Sequence, residues 1–238
     1  MKHIADNLAR VKERIDAAAN RSGRTADKIK LVAVTKGRSL EEIQTLLAVG
    51  QTLLGENRIQ EAKQKYDQMH SILQTPFEKH ICEWHLVGHL QRNKVKSALE
   101  MFTLIHSVDS LRLLMEIAHR AEIKKQTANI LIQINTTGEE SKFGLESDNV
   151  IDFIEKSLSY PHARIVGLMT MGKFNTSADE NRRAFALLRS ISETIKTKKF
   201  PGITMPYLSM GMTNDFEIAI EEGANIVRIG RAIFAGAS

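Results

Sequence analysis

Cysteine occurs once in this 238-residue chain, as Cys82, so no intrachain disulfide can form and a packed core must hold the fold. The amino terminus carries no long apolar run of the signal-peptide kind, and a cytoplasmic address is the expectation. Nowhere does an apolar stretch approach the roughly 18 residues of a membrane-spanning helix, so no membrane partner is expected. Proline is scarce, at four positions, while hydrophobic residues make up 42% and charged residues 26%. That balance excludes collagenous and disordered classes and describes a globular protein. Aromatic residues contribute only 5%. The net charge of +5 invites a nucleic-acid reading, but acidic residues interrupt the basic ones, and no stripe joins cations to stacking rings as single-strand binders require. No nucleic-acid partner is therefore expected.

Periodic hydrophobicity is what the chain does have. Residues 2–21 space Ile4, Leu8, Val11, Ile15 and Ala18 by three and four, the stripe of a helix packed on a core. The run Lys30 to Thr35 then reads as a strand buried on both faces, as in a parallel sheet. A helix from about Leu40 to Val49 follows. The same alternation recurs with strands at Leu53-Leu54, Glu83 to Val87, Thr103 to His106, Asn129 to Asn135, Arg164 to Leu168, Tyr207-Leu208 and Asn225 to Ile229. Helical stretches are expected from Glu56, Gln91 and Ser110. Eight strand-and-helix units in a chain of this length predict a single parallel (β/α)8 barrel, of the TIM type, with an extra N-terminal helix, spanning residues 1–238 as one domain. A doubly wound open sheet is the alternative.

In such a barrel the loops after the strands build the site. Lys36 ends the first strand, where desolvation would free its amine to attack a carbonyl; position alone leaves a solvated loop lysine equally open. Ser209-Met210-Gly211-Met212-Thr213-Asn214-Asp215 follows the seventh strand, and Arg228-Ile229-Gly230-Arg231 ends the eighth. Both runs open helices, and their small residues let backbone N–H groups approach an anion, although either alone is also ordinary turn chemistry. A lysine on strand one facing an anion cradle on strands seven and eight calls for a ligand bearing both an aldehyde and a phosphate. Pyridoxal phosphate is such a ligand.

At this point the chain resembles the pyridoxal phosphate homeostasis protein family, whose barrel is similar to the amino-terminal domain of alanine racemase. The matching words run in family order: Ala33-Val34-Thr35-Lys36, Gly55-Glu56-Asn57, Trp84-His85-Leu86-Val87-Gly88, Leu90-Gln91-Arg92-Asn93-Lys94, Ser141-Lys142-Phe143-Gly144, Gly167-Leu168-Met169, Ser209-Met210-Gly211-Met212 and Val227-Arg228-Ile229-Gly230. The resemblance implies a Schiff base on Lys36 and a phosphate held by Ser209, Thr213 and the backbone of Gly211, Gly230 and Arg231. It also implies that Asn57 lines the pocket and that Arg228 lies beside the pyridine nitrogen. An arginine donates but cannot accept, so the ring nitrogen would stay unprotonated and the cofactor a weaker electron sink. The family's usual aromatic is replaced by Arg58, its frequent proline by His89, its serine by Thr213 and its threonine by Arg231. Thr213 keeps the hydroxyl, and Arg231 keeps the backbone N–H.

The remaining signals are weaker. His80, Cys82, His85 and His89 lack fixed metal-ligand spacing, so no metal is expected. His85 reads either as an interior residue near the cofactor or as a hydrogen-bonded core histidine. Lys142 is a second amine near the mouth or a plain loop lysine. Met169, Met171, Met210 and Met212 fall at strand ends, where they can pack around a flat ring. The family implies a carrier that limits free pyridoxal phosphate, without catalytic residues of its own, a monomer, with apo pyridoxal-phosphate enzymes as recipients. The alternative is a pyridoxal-phosphate-dependent amino-acid racemase. Racemisation needs an acid and a base on opposite faces of the α-carbon, and Tyr66, Tyr160 and Tyr207 offer no evident second group. An aldolase using Lys36 on a phosphosugar is a third possibility.

Overall fold

The computed structural model describes residues 2–72, 82–139 and 143–236. Its strands are β1 (Lys30–Val34), β2 (Leu53–Glu56), β3 (Glu83–Leu86), β4 (Leu104–Val108), β5 (Ala128–Asn135), β6 (Leu145–Glu146), β7 (Ala163–Met169), β8 (Tyr207–Ser209) and β9 (Ile226–Ile229). Its helices are α1 (Lys2–Arg21), α2 (Leu40–Ala48), α3 (Ile59–Ile72), α4 (Val95–Met101), α5 (Leu111–Ile123), α6 (Val150–Ser157), α7 (Ala178–Lys198), α8 (Phe216–Glu221) and α9 (Arg231–Phe234).

All strand pairings are parallel, and β1 pairs with both β2 and β9 while β4 pairs with β5. The ring of eight strands therefore closes, as a (β/α)8 barrel, and the ring itself has no free edge to template aggregation. The two-residue β6 was not foreseen; it pairs only with β5, at Ile134 to Leu145, and stands outside the ring. Glu56 was expected to open a helix. It closes β2 instead, in register with Leu86, and α3 begins at Ile59.

Two apolar layers hold the barrel. Val32, Leu104, Leu131, Val166, Met169 and Ile226 fill the inside of the ring. A larger shell lies between strands and helices, with Phe185, Phe216, Ile43, Leu86 and Ile117 fully buried. The α1 stripe behaves as its spacing predicts: Ile4, Leu8, Val11, Ile15 and Ala18 are all buried. Each of its larger residues stabilises the fold by about 1.5 to 3 kcal/mol. Asn7 on that helix donates to the carbonyls of Ile233 at 3.0 Å and Ala235 at 2.9 Å, which pins the end of the chain beneath α1. Helix starts follow side-chain chemistry. Ser39 and Glu42 form a reciprocal capping box on α2, and Ser177 accepts the Glu180 amide at the start of α7.

No helix among the described residues is long and apolar enough to cross a membrane.

Candidate functional site

A cleft of about 630 Å³ opens at the carboxyl ends of β1, β2, β7, β8 and β9. Lys36, two residues beyond β1, is exposed and lines it, as do Asn57, Thr213, Arg228, Gly230 and Arg231. The residues expected on strand one and on the two last barrel strands are thus gathered at one end of the barrel.

Arg228 is the buried member, 4% exposed. Its Nη1 donates to Ser209 Oγ at 2.6 Å and its Nη2 to the Thr170 carbonyl at 2.8 Å. Both acceptors are neutral, so neither bond cancels the charge. Burial pushes its pKa down to about 10, while Asp215 in the cleft wall opposes that fall. The guanidinium is still charged at neutral pH, and with Asp215 near it in the wall it presents a cation to whatever occupies the cleft.

Ser209 and Gly211 stand behind the residues that line the cleft. Ser209 is fully buried, and its Oγ also sits 2.9 Å from His106 Nδ1. His106 Nε2 in turn lies 3.0 Å from His85 Nδ1. The strands β4 and β8 are not neighbours in the sheet, so this contact runs through the barrel interior. Ser209 closes β8 and points inward, beneath the Arg228 side chain that lines the cleft above it. Gly211 serves backbone packing. At φ +93° an added Cβ would stand 2.8 Å from Phe216 Cα, and the Gly211 carbonyl accepts the Arg228 amide at 3.0 Å.

The chain Arg228, Ser209, His106, His85 carries neutral imidazoles. Burial first, and Lys30 second, pushes His85 down to about 3. His106 is pushed well below the ordinary imidazole range by burial, by His85 and by Arg228. Since Ser209 Oγ receives Arg228, its hydroxyl hydrogen is available to His106 Nδ1, which leaves the Nε2–H of His106 directed at His85. His85 is thus a hydrogen-bonded interior histidine, three hydrogen bonds away from Arg228 rather than in the cleft.

Thr213, Gly230 and Arg231 line the end of the cleft where the anion was expected. Thr213 Oγ1 accepts the Ala232 amide at 3.3 Å, which ties the loop after β8 to the first turn of α9. At Gly230 an added Cβ would come within 3.1 Å of the Val34 carbonyl, so the loop lies close against β1 and near Lys36. The Arg231 guanidinium stands 5.9 Å from the Phe174 ring centroid, over an exposed ring at the cleft wall.

Met171, Gly172, Lys173, Phe174, Asn181 and Asp215 line that wall; of these, sequence reasoning missed Gly172, Lys173, Phe174 and Asn181. Asn181 braces the loop after β7 by accepting the Lys173 amide at 2.7 Å, and Asp215 accepts the Met212 amide at 2.6 Å. The acidic start of the α8 turn was visible in the sequence as Asn214-Asp215; the bracing from α7 had no local signal. Of the four methionines assigned to strand ends, Met171 and Met212 line the cleft. Met169 packs inside the ring and Met210 packs among the helices. Lys142, Ser141 and His80 lie outside the described residues. Among the described residues no group of His, Cys, Asp and Glu could hold a metal.

Comparison with known proteins agrees with this geometry. The family described as "Alanine racemase, N-terminal domain" matches residues 6–238. A pyridoxal phosphate homeostasis protein from Aquifex aeolicus is 38% identical over 232 residues, covering 98% of this chain and 97% of that one. A crystal structure of an unknown protein from Bifidobacterium adolescentis superposes with a TM-score of 0.91 at 36% identity, over 98% of this chain and 95% of the other. The structure of PipY from Synechococcus elongatus PCC7942 with PLP bound superposes with a TM-score of 0.83 at 28% identity, over 98% of this chain and 100% of that one.

Proposed function

This chain belongs to the alanine racemase N-terminal domain family, matched from residue 6 to residue 238, and from that premise we propose that it binds pyridoxal 5'-phosphate as a Schiff base on Lys36 and serves intracellular homeostasis of that cofactor. The observation that carries the reading is one cleft lined at once by the Lys36 amine, the buried Arg228 cation and the Gly230–Arg231 turn. An aldehyde, a pyridine nitrogen and a phosphate on one rigid ligand match those three features.

When bound, the cofactor supplies an electron-accepting ring and a reactive carbonyl. Lys36 is the amine for that carbonyl. Arg228 donates to the ring nitrogen and, being unable to accept, keeps it unprotonated, which weakens the ring as an electron sink. Thr213 and the amides of Gly230 and Arg231 hold the phosphate, Asn57 lines the pocket, and the Arg231 side chain adds positive charge at the mouth. Ser209 and Gly211 support this set from below: one bonds Arg228, and the other lets α8 approach.

A carrier or regulator without rapid turnover follows from the same residues, with pyridoxal-phosphate enzymes lacking cofactor as recipients. Tyr207 begins β8 and its hydroxyl lies 3.3 Å from Lys30 Nζ, at the opposite end of β1 from Lys36, so it cannot serve as an opposing acid for racemisation. The test is the absorption spectrum of the protein loaded with pyridoxal phosphate, before and after borohydride, with the modified lysine mapped by mass. A stable reduced adduct on Lys36 is expected. Rapid α-proton exchange of L-alanine in deuterated water, with inversion, would reject the carrier reading in favour of a racemase.

A further inference from the structure

A buried charged cluster lies directly behind Lys36 and takes no part in the cleft. Lys65 on α3 is 8% exposed and Glu56 is 0% exposed. Lys65 Nζ donates to the Thr35 carbonyl at 2.6 Å, to Glu56 Oε1 at 2.6 Å and to Glu61 Oε1 at 2.7 Å. Three acceptors occupy all three ammonium hydrogens, so the tip of this side chain is fully engaged away from the cleft. Glu61 Oε1 also accepts the Gly37 amide at 2.5 Å, and Glu56 Oε1 accepts the Thr35 hydroxyl at 2.7 Å.

Those backbone contacts have a common centre. The Thr35 carbonyl belongs to the peptide bond before Lys36, and the Gly37 amide belongs to the one after it. One cluster therefore grips both peptide groups of the lysine. As a source of stability it is a poor choice, since buried ion pairs are often no better than apolar replacements. Glu56 Oε2 is moreover buried with no hydrogen-bond partner among the described residues, which costs further stability.

We propose that Lys65, Glu56 and Glu61 are positioning residues that clamp the main chain on both sides of Lys36, so that its amine enters the cleft in one orientation. The inference rests on the Lys36 reading above. Small displacements of a reacting group cost large factors in rate, and a lysine on an unclamped loop would spread its amine over many positions.

The test compares Glu61→Ala with Glu61→Gln in the full chain; the Glu61 side chain is 28% exposed, so both variants should fold. Pyridoxal phosphate is added, the Lys36 adduct is trapped with borohydride at successive times, and its site is mapped. Glu61→Ala is expected to form the adduct about tenfold more slowly. Glu61→Gln, which keeps an oxygen for the Gly37 amide, should fall within about twofold of the parent. In the cofactor-free protein, hydrogen exchange at Gly37 should accelerate in Glu61→Ala alone. A parent adduct on another lysine overturns the Lys36 assignment and this inference together. A parent adduct on Lys36 with unchanged rate or unchanged Gly37 exchange in Glu61→Ala overturns the inference alone.

Discussion

The two sides of the cleft place a basic side chain at the same opening by opposite means. On the β1 side Lys36 is exposed, and the charges that hold it, Lys65, Glu56 and Glu61, bind its backbone and leave the amine alone. On the β9 side Arg228 is buried, and neutral groups bind its side chain directly. A group that must react has to keep its lone pair accessible, so its restraint acts through the main chain. A group that must only present charge can be locked at its tip, provided its partners do not neutralise it.

Breaking the reactive side should have the largest effect. Lys36→Ala is expected to abolish the borohydride-reducible adduct and to weaken pyridoxal phosphate binding by about a hundredfold or more, leaving contacts to the phosphate. Mass mapping after reduction checks this. Full retention of an adduct would move the attachment to another lysine such as Lys142, or to Lys173, which lines the cleft.

The charge-presenting side should reveal itself through pH. His85 has its pKa lowered to about 3, and that of His106 is lowered well below the ordinary value of 6.5. Below 6.5 the unfolded chain binds protons that the folded one refuses, so stability is fully present above that pH and is lost as pH falls toward 3. Near pH 5.5 the loss should approach about 1.4 kcal/mol per histidine relative to neutral pH. Denaturant unfolding of the parent and of His85→Asn with His106→Asn should show a flatter acid limb in the double variant. An unchanged limb would mean that the pair is not held neutral.

The smallest effect sharpens the contrast. Ser209→Ala removes the group that joins Arg228 to His106 and should cost about 1 to 2 kcal/mol in stability. Because Ser209 supports the cation from beneath the cleft, cofactor affinity should fall only severalfold, which equilibrium titration would measure. A loss as large as that of Lys36→Ala would return Ser209 to direct phosphate contact.

Much of the barrel was legible because a parallel strand covered on both faces must be an apolar run. Lys30 to Val34 and Ile226 to Ile229 could be read as strands without knowing their partners. Lys36 was legible as well, since a lysine just past such a run lands at the barrel mouth. The support beneath it was not. Ser209 and His106 meet across 103 residues of chain, and Lys65 reaches Thr35 across 30, and neither distance leaves a local pattern. Asn181 likewise bears on the cleft from within a helix whose spacing shows only a buried face.

What the sequence by itself determined is the beat of strand and helix and the placing of an amine and two small-residue turns just past strand ends, because hydrophobic period and turn chemistry are properties of neighbouring residues. Which side chains turn inward, what grips the main chain on both sides of Lys36, and how Arg228 remains charged while buried were decided only when the ring closed. Closure brings β4 against β8 through the interior and α3 against the end of β1, and those contacts set the position and reach of each group.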